Sequence, residues 1–257
     1  MATLLRDDGV TLWYEVHGPP GDDPEPLLLT HGFGATAGMW DSNLEALSAS
    51  RRVIRWDLRG HGRSDAPADL GRYTHAACVA DMAALLHATG ARRAVVAGMS
   101  LGGYLSLAFH LGHPERVAAL VLVDTGPGYR DDGARAGWNE WTERAAADIE
   151  ARGAQALGDS PEARSAEHVH GLGGVVNAAR GLLPQHDGRV IESLPDIAVP
   201  ALIVVGERDA PFLGAAEAMA RRIPGARKVV LADAGHAPNI DRPAEFDRAV
   251  LDFLEAT

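Results

Sequence analysis

A serine flanked by glycines stands where an apolar run ends and a helix-compatible run begins. Residues 98–102 read Gly-Met-Ser-Leu-Gly, after Val-Val-Ala at 95–97 and before a run with helical character at 104–111. This order is typical of a sharp turn between a buried strand and a helix, which exposes the serine hydroxyl at the helix N-terminus. The glycines leave room for a strained backbone at the serine. Ser100 is therefore a candidate nucleophile, and an incidental serine in a glycine-rich turn is the structural alternative.

A serine nucleophile needs a base to take its proton and an acid to orient that base. Residues 200–206 predict a buried strand that runs into Asp209, and residues 227–231 predict another that runs into His236. Because α/β proteins place their sites beyond the carboxyl ends of the strands, we expect both side chains near Ser100. His236 would take the serine proton and later give it to the leaving group, while Asp209 would hold and stabilise the imidazole.

Five motifs in this order resemble those of the α/β-hydrolase superfamily over nearly the whole chain. They are His-Gly-Phe-Gly at 31–34, Asp-Leu-Arg-Gly-His-Gly-Arg-Ser at 57–64, the serine motif, Gly-x-x-Asp at 206–209 and Gly-His at 235–236. The resemblance is to the lid-bearing, cofactor-free branch, which includes enol-lactonases, carboxylesterases, carbon–carbon bond hydrolases and non-haem haloperoxidases. It implies a mostly parallel eight-stranded sheet with helices on both faces, and an oxyanion hole made by the backbone N–H groups of Phe33 and Leu101.

The orienting acid has two rivals. Asp124 follows the apolar run 117–123, at a strand end where some relatives carry their acid, and Glu207 lies near Asp209. Asp209 is favoured because it completes the Gly-x-x-Asp pattern. Asp233 precedes His236 too closely to orient it and suits a loop-capping role.

Alternating apolar and helical runs predict a single α/β core. A hairpin at 3–17 is followed by strands near 27–30, 53–56, 94–97 and 117–123, with helices near 40–48, 74–88, 213–222 and 244–254. Continuous apolar strands with helical crossovers indicate a parallel sheet covered on both faces. The alternation breaks between 126 and 195, which predicts an inserted helical lid, so the core domain comprises 1–125 and 196–257.

Composition excludes several classes of partner. The 257 residues carry 24 basic and 35 acidic side chains, a net charge of −11, which argues against binding to nucleic acid or anionic membranes. The sequence has no signal core or run long enough to span a bilayer, so we expect a cytoplasmic protein. One cysteine, Cys78, excludes an intramolecular disulfide. The single lysine among many arginines is typical of a bacterial genome rich in GC, and the sequence leaves homo-oligomerisation open.

Other residues near the motifs carry weaker expectations. We expect Met99, Phe212, Trp138 and Trp141 to line the substrate pocket, although the two tryptophans are equally suited to packing the lid. His31 suits a loop-shaping role better than that of a second base. The pair at 168 and 170 (His-Val-His) lacks a nearby third ligand, which favours a lid surface over a metal site.

The sequence thus predicts a serine hydrolase that needs neither metal nor cofactor. It would cleave a small or medium carboxylic ester or lactone through an acyl-enzyme, with water as the second substrate. Carbon–carbon bond hydrolysis and cofactor-free perhydrolysis use the same triad and are the enzymatic alternatives. A ligand receptor with little turnover is the alternative of another class.

Overall fold

A twisted sheet of eight strands organises the computed structural model, which describes residues 1–21, 24–164 and 166–257. The strands are β1 (Ala2–Leu5), β2 (Thr11–His17), β3 (Leu27–Thr30), β4 (Val53–Trp56), β5 (Ala94–Met99), β6 (Val117–Val123), β7 (Ala201–Gly206) and β8 (Arg227–Leu231). Their order across the sheet is β1-β2-β4-β3-β5-β6-β7-β8. The hairpin β1–β2 pairs antiparallel to β4, and every other neighbouring pair is parallel. The predicted mostly parallel eight-stranded sheet is confirmed.

Alternate side chains of the central strands enter two separate apolar cores. Leu28, Ile54 and Val96 belong to one core, whereas Leu27, Val53 and other residues at odd positions of these strands belong to the second. This follows from the two-residue period of a strand, which sends successive side chains to opposite faces. Because both faces are buried, the strands read as continuous apolar runs.

Helices cover both faces of the sheet, as predicted. The helices are α1 (Leu44–Ser48), α2 (His75–Ala88), α3 (Leu101–Gly112), α4 (Asp132–Arg152), α5 (Pro161–Arg164), α6 (Gly173–Gly181), α7 (Arg189–Glu192), α8 (Ala210–Arg222), α9 (Pro238–Asp241) and α10 (Pro243–Glu255). Buried side chains of α2, α3 and α8 join one core, and those of α1 and α10 join the other. None of the helices in the described residues is both long and apolar enough to cross a membrane.

The predicted helix over 40–48 is wrong in extent. Residues Ala37–Asn43 form a 3₁₀ helix, and the α-helical turn begins only at Leu44. The cause lies at the start of this element, where the Thr36 hydroxyl accepts from the Gly38 N–H and the Thr36 carbonyl accepts from Met39, three residues on. Both bonds close turns that are tighter than an α-helix.

The segment between β6 and β7 contains helices α4 to α7, of which α6 packs beside the turn at residues 57–64. The closest approach joins backbone to backbone, because a Cβ on Gly174 of α6 would lie 2.5 Å from the Cα of Gly60. Gly60 has a φ of +80°, and only glycine at both positions allows this contact. The insert is therefore held against the turn that follows β4.

Candidate active site

Ser100 occupies a strained turn between β5 and α3. Its φ of 52° and ψ of −115° are rare for a residue with a side chain, and its backbone N–H donates to the carbonyl of Val123. A Cβ on Gly98 would lie 2.2 Å from the backbone of Gly102, and a Cβ on Gly102 would lie 2.3 Å from the carbonyl oxygen of Thr30. The two glycines therefore permit the backbone contacts that place the serine at the tip of the turn.

The loop at residues 31–34 lies directly against this turn. A Cβ on Gly32 would lie 3.5 Å from the Ser100 Cβ and 2.7 Å from the sulfur of Met99. The residue before Phe33 thus lies beside the serine, and Leu101, the first residue of α3, follows the serine directly. The assignment of their N–H groups to an oxyanion hole remains a prediction.

Asp209 and His236, in the loops that follow β7 and β8, form a hydrogen-bonded pair. The His236 Nδ1 lies 2.6 Å from the Asp209 Oδ2. The loops approach closely because a Cβ on Gly206 would lie 2.1 Å from the carbonyl oxygen of Gly235. Burial alone would raise the pKa of Asp209, but hydrogen bonds from His236 and Asp124 outweigh it and hold that pKa below its ordinary value. An ionised Asp209 stabilises a protonated imidazole, and only Nε2 is left to accept a proton.

Asp124, the rival acid, lies beside this pair rather than replacing Asp209 in it. One side-chain atom each of Asp124, Asp209 and His236 falls within 4.8 Å of the other two. The Asp124 carboxyl is 1% exposed and accepts a 3.0 Å hydrogen bond from the Gly206 N–H. Burial, followed by the neighbouring Asp209, raises the pKa of Asp124 to about 9, so this carboxyl is neutral at pH 7.

Hydrogen bonds connect the serine turn to the loop that follows β6. The Thr125 hydroxyl donates to the carbonyl of Ser100 over 2.6 Å, and the Asp124 N–H donates to the Val204 carbonyl of β7. The ends of β5, β6 and β7 therefore form one connected edge. A serine hydroxyl, a histidine and a carboxylate at one edge are the groups that nucleophilic attack with proton transfer requires.

Three histidines join the loop at 31–34 to its surroundings through backbone groups. His31 bonds the Gly32 carbonyl and the Leu58 N–H, and His61 bonds the Arg59 carbonyl and the Gly34 N–H. His168, in the insert, bonds the Gly62 N–H and the Gly34 carbonyl. Each ring thus donates through one nitrogen and accepts through the other, which only a neutral imidazole can do. We call these three residues the histidine clasp.

Burial lowers the pKa of each ring in the clasp. For His31 the pKa falls to about 4, with loss of solvation as the largest cause. The pKa of His61 lies well below its usual range because of burial and then its histidine neighbours, and that of His168 is lowered chiefly by burial. The expectation that His31 shapes its loop agrees with this arrangement. The clasp itself was missed, since its partners are backbone groups and leave no residue pattern.

The predicted pocket residues differ in their surroundings. The Phe212 ring packs against the His236 ring in a tilted arrangement with centroids 4.9 Å apart, whereas Met99 is buried in the core. The Trp138 indole N–H donates to the Leu183 carbonyl within the insert, and Trp141 stacks on Trp138 with 45% of its surface exposed. Phe212 thus lies beside the hydrogen-bonded pair Asp209–His236, while the two tryptophans pack against other residues.

The sequence profile of the alpha/beta hydrolase family matches residues 27–249 of this chain. The chain belongs to this family and is a hydrolase with its fold. That class agrees with a small-molecule substrate and with water as co-substrate.

Individual relatives cover the chain from end to end. A curated protein of Variovorax paradoxus (strain S110), named "Putative carbamate hydrolase RutD", is 32% identical to this chain. The match covers 95% of this chain and 96% of the relative's length. The structure of a thermophilic esterase from Thermogutta terrifontis is 29% identical, with a TM-score of 0.85 over 99% of this chain and 98% of that one. The enol-lactonase from Burkholderia xenovorans LB400 is 26% identical, with a TM-score of 0.78 over 99% of this chain and 100% of that one.

Proposed function

We propose that this protein is a serine hydrolase of carboxylic esters or lactones, with Ser100, His236 and Asp209 as its catalytic triad. The observation that carries the proposal is the 2.6 Å contact between His236 and Asp209 at the same sheet edge as the strained Ser100 turn. Backbone strain at a residue with a side chain is costly and is found where function requires it. A buried acid paired with a histidine supplies the base that the serine needs.

The reaction would proceed through an acyl-enzyme. His236 takes the Ser100 proton at Nε2 as the hydroxyl oxygen attacks the carbonyl carbon, and the backbone N–H groups of Phe33 and Leu101 bind the resulting oxyanion. The imidazolium then returns its proton to the leaving alcohol as the carbon–oxygen bond breaks. Water, deprotonated by His236, attacks the ester formed with Ser100. The bond between the acyl carbon and the Ser100 oxygen then breaks, the imidazolium returns its proton to that oxygen, and the acid is released.

The relatives support an acyl substrate with an oxygen leaving group. Proteins similar to this chain are named as an esterase and an enol-lactonase, and one relative is named for carbamate hydrolysis. A carbamate offers the same carbonyl carbon to a serine nucleophile. A carbamate therefore belongs in the substrate panel beside aryl esters and lactones.

The 126–195 insert would cover the site as a lid. The Leu157 side chain lies 3.2 Å from the position that a Cβ on Gly34 would occupy, and His168 bonds the backbone on both sides of the same region. The insert thus lies over the loop that would supply an oxyanion donor. We expect its apolar side chains, together with Phe212, to limit the size of the acyl group.

Labelling with a fluorophosphonate probe tests the proposal directly. We expect one probe per chain, mapped to Ser100, and repeated turnover of p-nitrophenyl acetate or butyrate. Ser100→Ala should lose labelling and lower kcat by about 10³-fold or more, because the residual rate then comes from binding and oxyanion stabilisation alone. Ser50→Ala, which alters an exposed serine, is the matched control and should behave like the wild type.

Other outcomes would point elsewhere. Retained turnover in Ser100→Ala would refute the assignment of the nucleophile. Labelling at Ser100 without ester, lactone or carbamate turnover would favour a carbon–carbon bond hydrolase or a ligand receptor. A ligand-dependent shift in Tm without turnover would separate the receptor from the hydrolase.

A further inference from the structure

We propose that Asp124 is a positioning residue for the triad, a neutral carboxyl that donates a hydrogen bond to Asp209 and accepts one from the Gly206 N–H. The proposal rests on the proposed function, because it assigns a role beside a working triad. It differs from the sequence-based alternative, in which Asp124 would itself be the orienting acid.

The first argument is the crowding of two carboxyl groups in a dry site. Asp124 is 1% and Asp209 7% exposed, and their oxygens lie within 4.8 Å of one another. Two buried carboxylates this close repel each other, and a hydrogen bond between them requires a proton on one, so the pair is most stable when it shares a single proton.

The second argument decides which carboxyl holds the proton. Asp209 contacts His236 at 2.6 Å, and an ionised Asp209 is the form that an imidazole N–H stabilises. Asp124 faces a single backbone N–H, that of Gly206, which both of its oxygens approach at 3.0 and 3.3 Å. Its titratable neighbours include the Asp209 and Asp241 carboxyls, which oppose its ionisation, and the His236 imidazole. The proton therefore resides on Asp124.

The third argument is the rigidity of the Asp124 backbone. Its φ of 38° is unusual for a residue with a side chain, and its N–H is held by the Val204 carbonyl. The following residue, Thr125, bonds the carbonyl of Ser100. The carboxyl is thus anchored between the strand that precedes the serine turn and the strand that precedes the acid. From there its hydrogen bond would fix the carboxylate plane that orients His236.

A pair of substitutions separates this role from simple packing. Asparagine keeps both functions, since its carbonyl can accept from Gly206 and its amide can donate to Asp209, whereas alanine has neither. We expect Asp124→Ala to lower kcat about 10- to 100-fold with little change in KM, because a displaced catalytic group slows the chemical step. Asp124→Asn should recover kcat to within about threefold of the wild type. By contrast, Asp209→Asn should keep a strongly lowered kcat, because a neutral amide cannot stabilise the imidazolium.

The alkaline limb of the pH profile provides a second readout. Ionisation of Asp124 near pH 9 would remove its donor and place a second negative charge beside Asp209. The wild-type rate should therefore fall near that pH, whereas Asp124→Asn, which cannot ionise, should lack this fall. Asp241, the other neighbouring carboxylate, is present in both proteins and does not contribute to the difference.

Infrared difference spectroscopy between wild type and Asp124→Asn tests the proton itself without any substrate. At pH 7.5 we expect a carboxylic-acid carbonyl band in the wild type that the variant lacks. Asp247, with a pKa raised by burial to about 6, is ionised at this pH and does not interfere. Absence of the band would overturn the proposal whatever the activity.

The outcomes distinguish this proposal from the proposed function. If fluorophosphonate fails to label Ser100 in the wild type, the triad assignment fails, and the infrared band still reports on Asp124. If Ser100 is labelled but Asp124→Asn is as impaired as Asp209→Asn, Asp124 acts as a charged acid and the positioning role is refuted. Equal activity of Asp124→Ala, Asp124→Asn and wild type would refute it as well.

Discussion

His31 is fully buried and bonds two backbone groups, so acidification should lower the stability of the folded protein. The ring donates from Nδ1 to the Gly32 carbonyl and accepts at Nε2 from the Leu58 N–H. Protonation would convert the accepting nitrogen into a donor that faces the Leu58 N–H, and it would place a charge in the core. His31 therefore binds a proton less readily in the folded protein than in the unfolded chain.

The size of the effect follows from the pKa of the ring. In the unfolded chain a histidine has its ordinary value of 6.5, whereas burial lowers the pKa of His31 to about 4. Because the pKa of His31 is lower in the folded protein, the unfolded chain binds more protons as the pH falls. The contribution of His31 to the free energy of unfolding is therefore complete above pH 6.5 and is lost as the pH falls toward 4. At about 1.4 kcal/mol for each pH unit, the loss from His31 amounts to about 3 kcal/mol. His61 adds to the loss in the same direction.

Urea unfolding followed by tryptophan fluorescence measures this loss between pH 8 and 4.5. Other groups titrate in the same range, so the useful quantity is the difference in the free energy of unfolding between wild type and His31→Asn. Asparagine can still donate to Gly32 but does not titrate. We expect the wild type to be more stable at pH 8 and the difference to shrink by about 2 to 3 kcal/mol at pH 4.5. His87→Asn, at an exposed position, is the control, and its free energy of unfolding should change with pH as that of the wild type does.

A difference between wild type and His31→Asn that stays constant from pH 8 to 4.5 would refute this reasoning. It would show that the folded protein accepts the proton on His31 as readily as the unfolded chain does. A difference that grows on acidification would show that the ring is charged when folded.

Three further substitutions test the packing. Gly98→Ala should abolish the native fold or lower Tm strongly, because its Cβ would lie 2.2 Å from the α3 backbone; a Tm unchanged by calorimetry would contradict the turn geometry. Gly137→Ala, in an open and exposed position of α4, should stabilise by about 0.5–1 kcal/mol in urea unfolding, and a loss of stability would contradict the helix there. Arg59→Leu should cost about 3 kcal/mol in the same assay, since it leaves the buried Asp81 with Arg6 alone; a neutral result would show that the ion pair is dispensable.

The sheet and its motif order could be predicted because their signals are local. Apolar runs such as 117–123 and 200–206 mark strands buried on both faces, and the predicted hairpin at 3–17 forms as the antiparallel pair β1–β2. The glycines of the serine turn exist for backbone contacts that any residue with a Cβ would block. Their spacing in the sequence therefore carries direct structural information.

The histidine clasp and the state of Asp124 could not be predicted in the same way. His31, His61 and His168 are far apart in the chain, and every bond they make runs to a main-chain group. Asp124 was recognised only as a rival acid, because its neutral form depends on burial and on the distance to Asp209. Both features arise from tertiary packing, which leaves no periodic or compositional trace.

The bonds of His168 tie two events together that would otherwise be independent. Any movement that lifts the insert away from the sheet edge must break its contacts with the Gly62 N–H and the Gly34 carbonyl, at a net cost of about 1–3 kcal/mol. The same movement frees one side of Gly34, the residue after Phe33. If the insert acts as the proposed lid, admission of a substrate and rigidity of the loop beside Ser100 are thermodynamically linked. Strengthening the hold of the insert would slow exchange with solvent, and weakening it would admit larger molecules to a less ordered loop.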